Sequence, residues 1–316
     1  MDQQTLKDLL ALINVRNLTL AAEQRNVSQS AYSRRLQAIE LRHGITLFDR
    51  SRRPARPSPM LDAMRGDIEL ALSTLQRMEK RLSDSHTIEE HLTIVGMHSL
   101  SAGVLPIAMK RLGTLLDNHP VRMRSANRDG CFQLLMTGEV ALMISYETDA
   151  RALRAPPHLV TTKRLCQDPF VPVCNPVIHG SLSKLVSKSS PIPLLAYPTE
   201  VFLGRILSDD ILPRSALAFS ARLTAGMTSV LLGAAINGLG VAWLPASTAG
   251  EAIRSGRLIR IHDPAFPTLQ LTVSMLWLRT PEMHRYDELH EALGGEIARA
   301  VGELHEAGFD ERVAGT

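Results

Sequence analysis

Apolar positions recur along this chain at two periods, and the switch between them falls near residue 90. Before it the spacing is helical. Tyr32, Leu36 and Ile39 follow an i, i+4, i+7 rule, and Leu61, Met64, Ile68, Ala71, Leu75, Met78 and Leu82 alternate steps of three and four. Beyond it, short apolar runs of strand length alternate with helical stretches. Strands are expected at 92–97, 121–126 and 140–146, with helices at 100–116 and 131–136. A second α/β set follows, with elements at 170–174, 182–186, 192–197, 202–212, 216–223, 228–237 and 241–244. A strand at 269–277 and a mostly helical stretch at 282–307 close the pattern. Such alternation predicts an α/β architecture of largely parallel sheets with helices on both faces. Crossings near 146–165 and 261–271 would join the two halves as hinged lobes.

Residues 18–40 read as two short helices around a turn at Asn26-Val27-Ser28. Ser28 is placed to cap the second helix by accepting from a free backbone N–H. Opposite the stripe of Tyr32, Leu36 and Ile39 lie Ser30, Ser33, Arg34 and Gln37, with Gln29 in the first turn. Such side chains hydrogen-bond base edges and phosphates, as a recognition helix in a DNA groove requires. The same pattern also describes a surface helix with a solvated polar face. Ala21 and Ala22 give the preceding helix a small-residue face for a close crossing. After Gly44 and Leu47-Phe48 comes a basic, proline-punctuated run, with Arg50, Arg52 and Arg53, that cannot be helical. Ser58 and Pro59 then suit the cap and first position of a further helix.

Charge follows the same division. The first 58 residues hold ten Lys/Arg against five Asp/Glu, an excess of +5 where the whole chain carries +3. Positive charge is thus concentrated where phosphate contacts would form.

This ordered set, from about Leu6 to Ser58, resembles the winged helix-turn-helix of LysR-type transcriptional regulators. One departure is Pro57-Ser58-Pro59-Met60-Leu61, where members usually have Leu-Thr-x-Ala-Gly. The three-four alternation from Leu61 to Leu82 is a coiled-coil seam for pairing two readers on a roughly palindromic operator, or else one amphipathic helix packed on its own domain. The family also uses its linker helix for pairing, and its members are often tetramers or larger. The division expected is therefore a reader at 1–58, a linker helix at 59–86 and an effector-binding domain at 87–316. The last resembles the two-lobed, periplasmic-binding-protein-like domain of the family, with lobe 1 at about 92–160 and 268–316 and lobe 2 at about 161–267.

Ligands of such folds sit between lobes, at strand ends where helices begin. His98, Ser99 and Ser101 follow the first strand, Asn127 and Tyr146 end two others, and Leu203, Gly204, Arg205, Met227 and Thr228 occupy loops of the second lobe. All are candidates for binding an effector, although His98 to Ser101 can equally be a helix start with no ligand. Met97 to Ser101, Leu203 to Leu207, Met227 and residues 238–245 also resemble a hypochlorite-responsive subgroup. That likeness implies oxidant sensing through methionine, with Met227 at a sensing position. Leu203, however, stands where the subgroup has methionine before the glycine.

Other classes find little support. No phosphate-binding glycine loop, nucleophile elbow or metal-ligand spacing appears, so no enzyme, cofactor or metal is expected. An enzyme or solute-binding domain fused to a DNA reader is the alternative. The longest apolar stretch, 230–246, contains Asn237, Gly238, Gly240 and Pro245 and reads as a helix and a strand, not a membrane span. Three cysteines fit no zinc spacing and no disulfide scaffold, and no secretory signal is evident. The expected place is the cytoplasm, at the nucleoid, with double-stranded DNA, a small effector or oxidant and further copies of the chain as partners.

Overall fold

The computed structural model describes residues 2–49, 56–83, 92–116, 120–153, 155, 157–187 and 190–306. The chain forms two compact units that divide near residue 88.

In the first unit, helices α1 (Gln3–Val15), α2 (Leu18–Gln24) and α3 (Gln29–His43) each begin at a side-chain cap. Asp2 accepts from the Thr5 N–H at 2.8 Å, Asn17 from Thr19 at 2.9 Å and Ser28 from Ala31 at 3.3 Å. Gly44, at φ +64°, ends α3 in the left-handed conformation. Leu9, Leu12, Ile13, Ala21, Ala22, Tyr32, Leu36, Leu47 and Phe48 make the core. Strands β1 (Phe48–Asp49) and β2 (Arg56–Pro57) pair antiparallel and form the base of a wing. Ser58 then caps α4 (Pro59–Ala63), whose first residue is the expected proline. The helix expected to run unbroken through the linker is interrupted at Met64 and resumes as α5 (Arg65–Ser83).

The second unit is built on one mixed, nine-stranded sheet. Its first lobe has β3 (Leu92–Met97), α6 (His98–Ala102), α7 (Val104–Leu112), β4 (Val121–Ala126), α8 (Arg128–Met136) and β5 (Leu142–Glu147). The long β6 (Val160–Cys174) leads into the second lobe, with α9 (Pro176–Ser187), β7 (Ile192–Ala196), α10 (Phe202–Arg205), β8 (Phe219–Thr224), α11 (Thr228–Ile236), β9 (Val241–Pro245), α12 (Ala246–Arg254) and β10 (Ile259–Arg260). The chain returns through β11 (Leu269–Leu278) and ends in α13 (Asp287–Glu306). The order is β4-β3-β5-β11-β6-β9-β7-β8, with β10 on β6.

One expectation is corrected here. The sheet is not largely parallel, because β11 runs antiparallel to both β5 and β6, and β6 antiparallel to β9. The crossing near 146–165 ends in the first residues of β6, and the crossing near 261–271 runs through 261–268, which are neither helix nor strand, into β11. β6 pairs β11 from Val160 to Phe170 and β9 from Phe170 to Val173, so one strand serves both lobes. A bulge in its pairing between Val273 and Ser274 marks the passage between them.

Candidate DNA-reading face and effector cleft

Tyr32 and Leu36 are fully buried and Ile39 partly so, which fixes the opposite face of α3 outward. Gln29, Ser30, Arg34 and Gln37 are exposed and Ser33 is half-buried. Ser28 is engaged as cap, and its hydroxyl lies 3.2 Å from that of Ser30. The neighbouring Arg35 does not share this freedom. It reaches inward to Asp8, as does Arg25. Arg50, Arg52 and Arg53 lie outside the described residues.

The linker residues divide by role. Leu61 and Ile68 are buried in the reader's own core together with Leu72, which the three-four pattern passes over. Met64, Ala71 and Leu75 pack partly against that core, while Met78 is 56% exposed. The side chain of Leu82 lies outside the described residues.

Between the lobes of the second unit lies a shallow, solvent-open cleft. Five expected residues line it: His98, Ser99, Asn127, Leu203 and Thr228. Val201, Phe202 and Gly226, from the two second-lobe loops expected at the cleft, complete the wall with Met97, Ala126, Arg128 and Tyr197, which were not anticipated. His98 Nδ1 is 2.7 Å from the Ser125 hydroxyl, and the Tyr197 hydroxyl donates to Thr228 Oγ1 at 3.3 Å. The Met97 sulfur accepts from the Tyr146 N–H at 3.3 Å. Arg128 is the cleft's cation. It stacks on Phe202 and donates to the Arg151 carbonyl at 2.7 Å, and its buried Nε makes no hydrogen bond but lies 3.8 Å from an Asp129 carboxylate oxygen. Burial lowers its proton affinity from the ordinary arginine value.

The other five candidates do different work. Ser101 is turned toward Gly96, where a Cβ would come within 2.6 Å of its hydroxyl. Gly204 lies against the Pro198 carbonyl, 1.8 Å from where a Cβ would stand, so it is required for packing. Tyr146 is buried and donates at 2.6 Å to Asp168, whose other partner is Ser247 of the second lobe. Burial raises the proton affinity of both Asp168 and Tyr146. Arg205 pairs with Asp129 at 3.2 Å, bridging the lobes. Met227 precedes α11 and is half-exposed beside the lining residues Gly226 and Thr228.

The cysteines are free and poorly suited to thiolate chemistry. Burial pushes the thiols of Cys131, Cys166 and Cys174 up to about 12, so each stays protonated at neutral pH. Among the described residues no cluster of His, Cys, Asp or Glu suits a metal, and no helix is long and apolar enough to cross a membrane.

A winged helix-turn-helix ahead of a two-lobed α/β domain with a cleft between its lobes defines a DNA-binding regulator with an effector-binding domain. The chain belongs to the LysR family of transcriptional regulators: the LysR substrate binding domain matches residues 85–295, and the bacterial regulatory helix-turn-helix of the lysR family matches residues 4–60. It is 31% identical over 263 residues to the HTH-type transcriptional regulator YjiE of Escherichia coli (strain K12), covering 81% of this chain and 82% of that protein. The full-length structure of HypT from Salmonella typhimurium, a hypochlorite-specific LysR-type regulator, is similar at 26% identity and a TM-score of 0.53, over 95% of this chain and 99% of that one. Vibrio fischeri DarR, solved in complex with DNA, shares the fold at 22% identity and a TM-score of 0.51, over 96% and 98% of the two chains. These relatives are regulators and not enzymes.

Proposed function

We propose that this regulator reads its operator through the outward face of α3, with Ser28, Gln29, Ser30, Ser33, Arg34 and Gln37 at the groove and Arg50, Arg52 and Arg53 on flanking phosphates. The observation that carries this is the division of α3: its apolar face is buried in the core, so its Ser/Arg/Gln face is presented to a partner. Two copies pair through the exposed end of the linker helix around Met78, and further pairing builds tetramers. The protein acts in the cytoplasm, at the nucleoid.

The effector is a small polar molecule held in the cleft by His98, Ser99, Asn127, Arg128 and Thr228. Likeness to HypT supports a finer reading, in which the signal is an oxidant and the sensor a methionine. Hypochlorite would transfer its oxygen to a thioether and leave as chloride, turning an apolar group polar. Met97 on the cleft wall and Met227 beside it are the placed thioethers, and the protonated thiols are poor competitors.

Genomic binding sites mapped with and without hypochlorite test both levels. Arg34→Ala should weaken operator binding about 10-fold or more, the scale of one lost base contact, with the fold intact; an unchanged footprint overturns the reading face. Met227→Ile and Met97→Ile should blunt an oxidant-responsive reporter, and a full response in both removes the oxidant reading while leaving the DNA reading standing.

A further inference from the structure

Asp8 is the only charged residue among the described residues of the reader that is fully buried, at 1% exposure. It sits on the inner face of α1, where three groups converge on it. Arg25, just past the end of α2, donates from Nε to its Oδ1 at 2.8 Å. Arg35, on α3, donates to its Oδ2 at 3.2 Å. The Tyr32 hydroxyl, also on α3, donates to its backbone carbonyl at 2.5 Å. A buried carboxylate lacking such partners is strongly destabilising, whereas one held by two guanidinium groups fixes their geometry through directional, charge-assisted bonds. The apolar contacts of Tyr32 and Leu36 set which face of α3 turns inward, and the bonds to Asp8 add a directional restraint on its exact roll that apolar attraction, being non-directional, does not supply.

We infer that Asp8 is a positioning residue for DNA recognition: it locks the roll of α3 through Arg35 and Tyr32 and withholds Arg35 and Arg25 from DNA phosphates. The inference rests on the reading face proposed above. A rotated α3 would carry Ser30, Ser33, Arg34 and Gln37 off their base edges, while two freed arginines would add attraction that ignores sequence.

The test uses the full-length protein, a duplex that it enriches from a random pool, and a scrambled duplex of equal composition. In Asp8→Asn the preference for the enriched duplex should fall about 10-fold or more, while binding to the scrambled duplex is kept or strengthened. The slope of log affinity against log salt should steepen by about 0.9 for each arginine released. A purely structural role would instead weaken both duplexes together without steepening the slope. Adding Arg35→Gln to Asp8→Asn should take back about one unit of slope. An unchanged preference and slope in Asp8→Asn overturn the inference. Should Asp8→Asn fail to fold, Arg35→Gln alone decides: a lower preference with the wild-type slope supports it, and a slope shallower by about 0.9 makes Arg35 a phosphate ligand and overturns it. If the wild type enriches no duplex at all, the reading face falls first and this inference with it.

Discussion

The guanidinium carbon of Arg128, at the start of α8 in one lobe, sits 4.1 Å from the ring centroid of Phe202, at the start of α10 in the other. The two lobes thus meet across the cleft through a cation on an aromatic face. With only 12% of the Arg128 side chain exposed, water screens this contact little. Replacing Arg128 by Met keeps bulk and removes charge. It should cost the regulatory domain about 1–2 kcal/mol in thermal unfolding and abolish the effector or oxidant response in a reporter. Unaltered unfolding together with a normal response would reduce Arg128 to filler.

Around that contact the lobes exchange charge in both directions. Arg151 of the first lobe reaches Asp210 at 2.8 Å and Asp209 at 3.0 Å in the second, and Arg205 of the second reaches Asp129 of the first. Partly exposed pairs are worth about 1 kcal/mol or less, roughly fivefold in an open-to-closed ratio. Arg151→Glu should therefore shift the domain toward an open form, visible as a larger radius in small-angle scattering. Combining it with Asp210→Arg should return the compact radius, and raising salt should weaken closure in the wild type. A radius indifferent to both substitutions would mean the pairs do not govern closure.

The linker supports a contrast between neighbours on one helix. Ile68→Ala removes a buried side chain from the reader's core and should destabilise that domain by about 2–5 kcal/mol. Met78→Asp alters an exposed position and should change stability by about 0.5 kcal/mol or less, yet dissociate the paired form in sedimentation. A dimer that survives Met78→Asp would place the interface elsewhere.

The reader was legible because its signals are local. Ser28 as cap, Tyr32 and Leu36 inward and Ser58-Pro59 opening the next helix all lie within one or two turns of what they govern. Asp8 was not legible, because a lone aspartate in an amphipathic helix looks like a surface residue until Arg25 and Arg35 are folded onto it. Strand β6 was read only from residue 170 onward, since Pro169, Pro172 and the polar run Thr161 to Arg164 argue against a central strand. Pairing with β11 over its first half and with β9 over its second overrides that composition. The cleft was half legible. Residues after strand ends could be named, but Arg128 and Phe202 meet only through the third dimension. Gly204 signalled close packing rather than a ligand.

His290 gives the regulatory domain a pH dependence whose sign can be worked out. The residue, on α13, is buried with neither ring nitrogen hydrogen-bonded, and its ring lies 4.8 Å from that of Trp277. Burial lowers its proton affinity from the ordinary value of 6.5, with Lys163 acting in the same sense and Asp287 and Glu291 opposing. The unfolded chain takes up a proton as pH drops past the ordinary value, while the folded one resists until lower pH. The contribution to stability is therefore complete above the ordinary value and is lost as pH falls toward the depressed folded one. Each tenfold difference in proton affinity is worth about 1.4 kcal/mol, or about 3–6 °C in Tm for a domain of this size. His290→Phe keeps an aromatic ring against Trp277 and removes the titration. Its Tm should match the wild type near pH 8 and exceed it at pH 5, with Trp277 fluorescence unchanged across that range. A parallel decline of both proteins on acidification would assign the acid sensitivity to other groups.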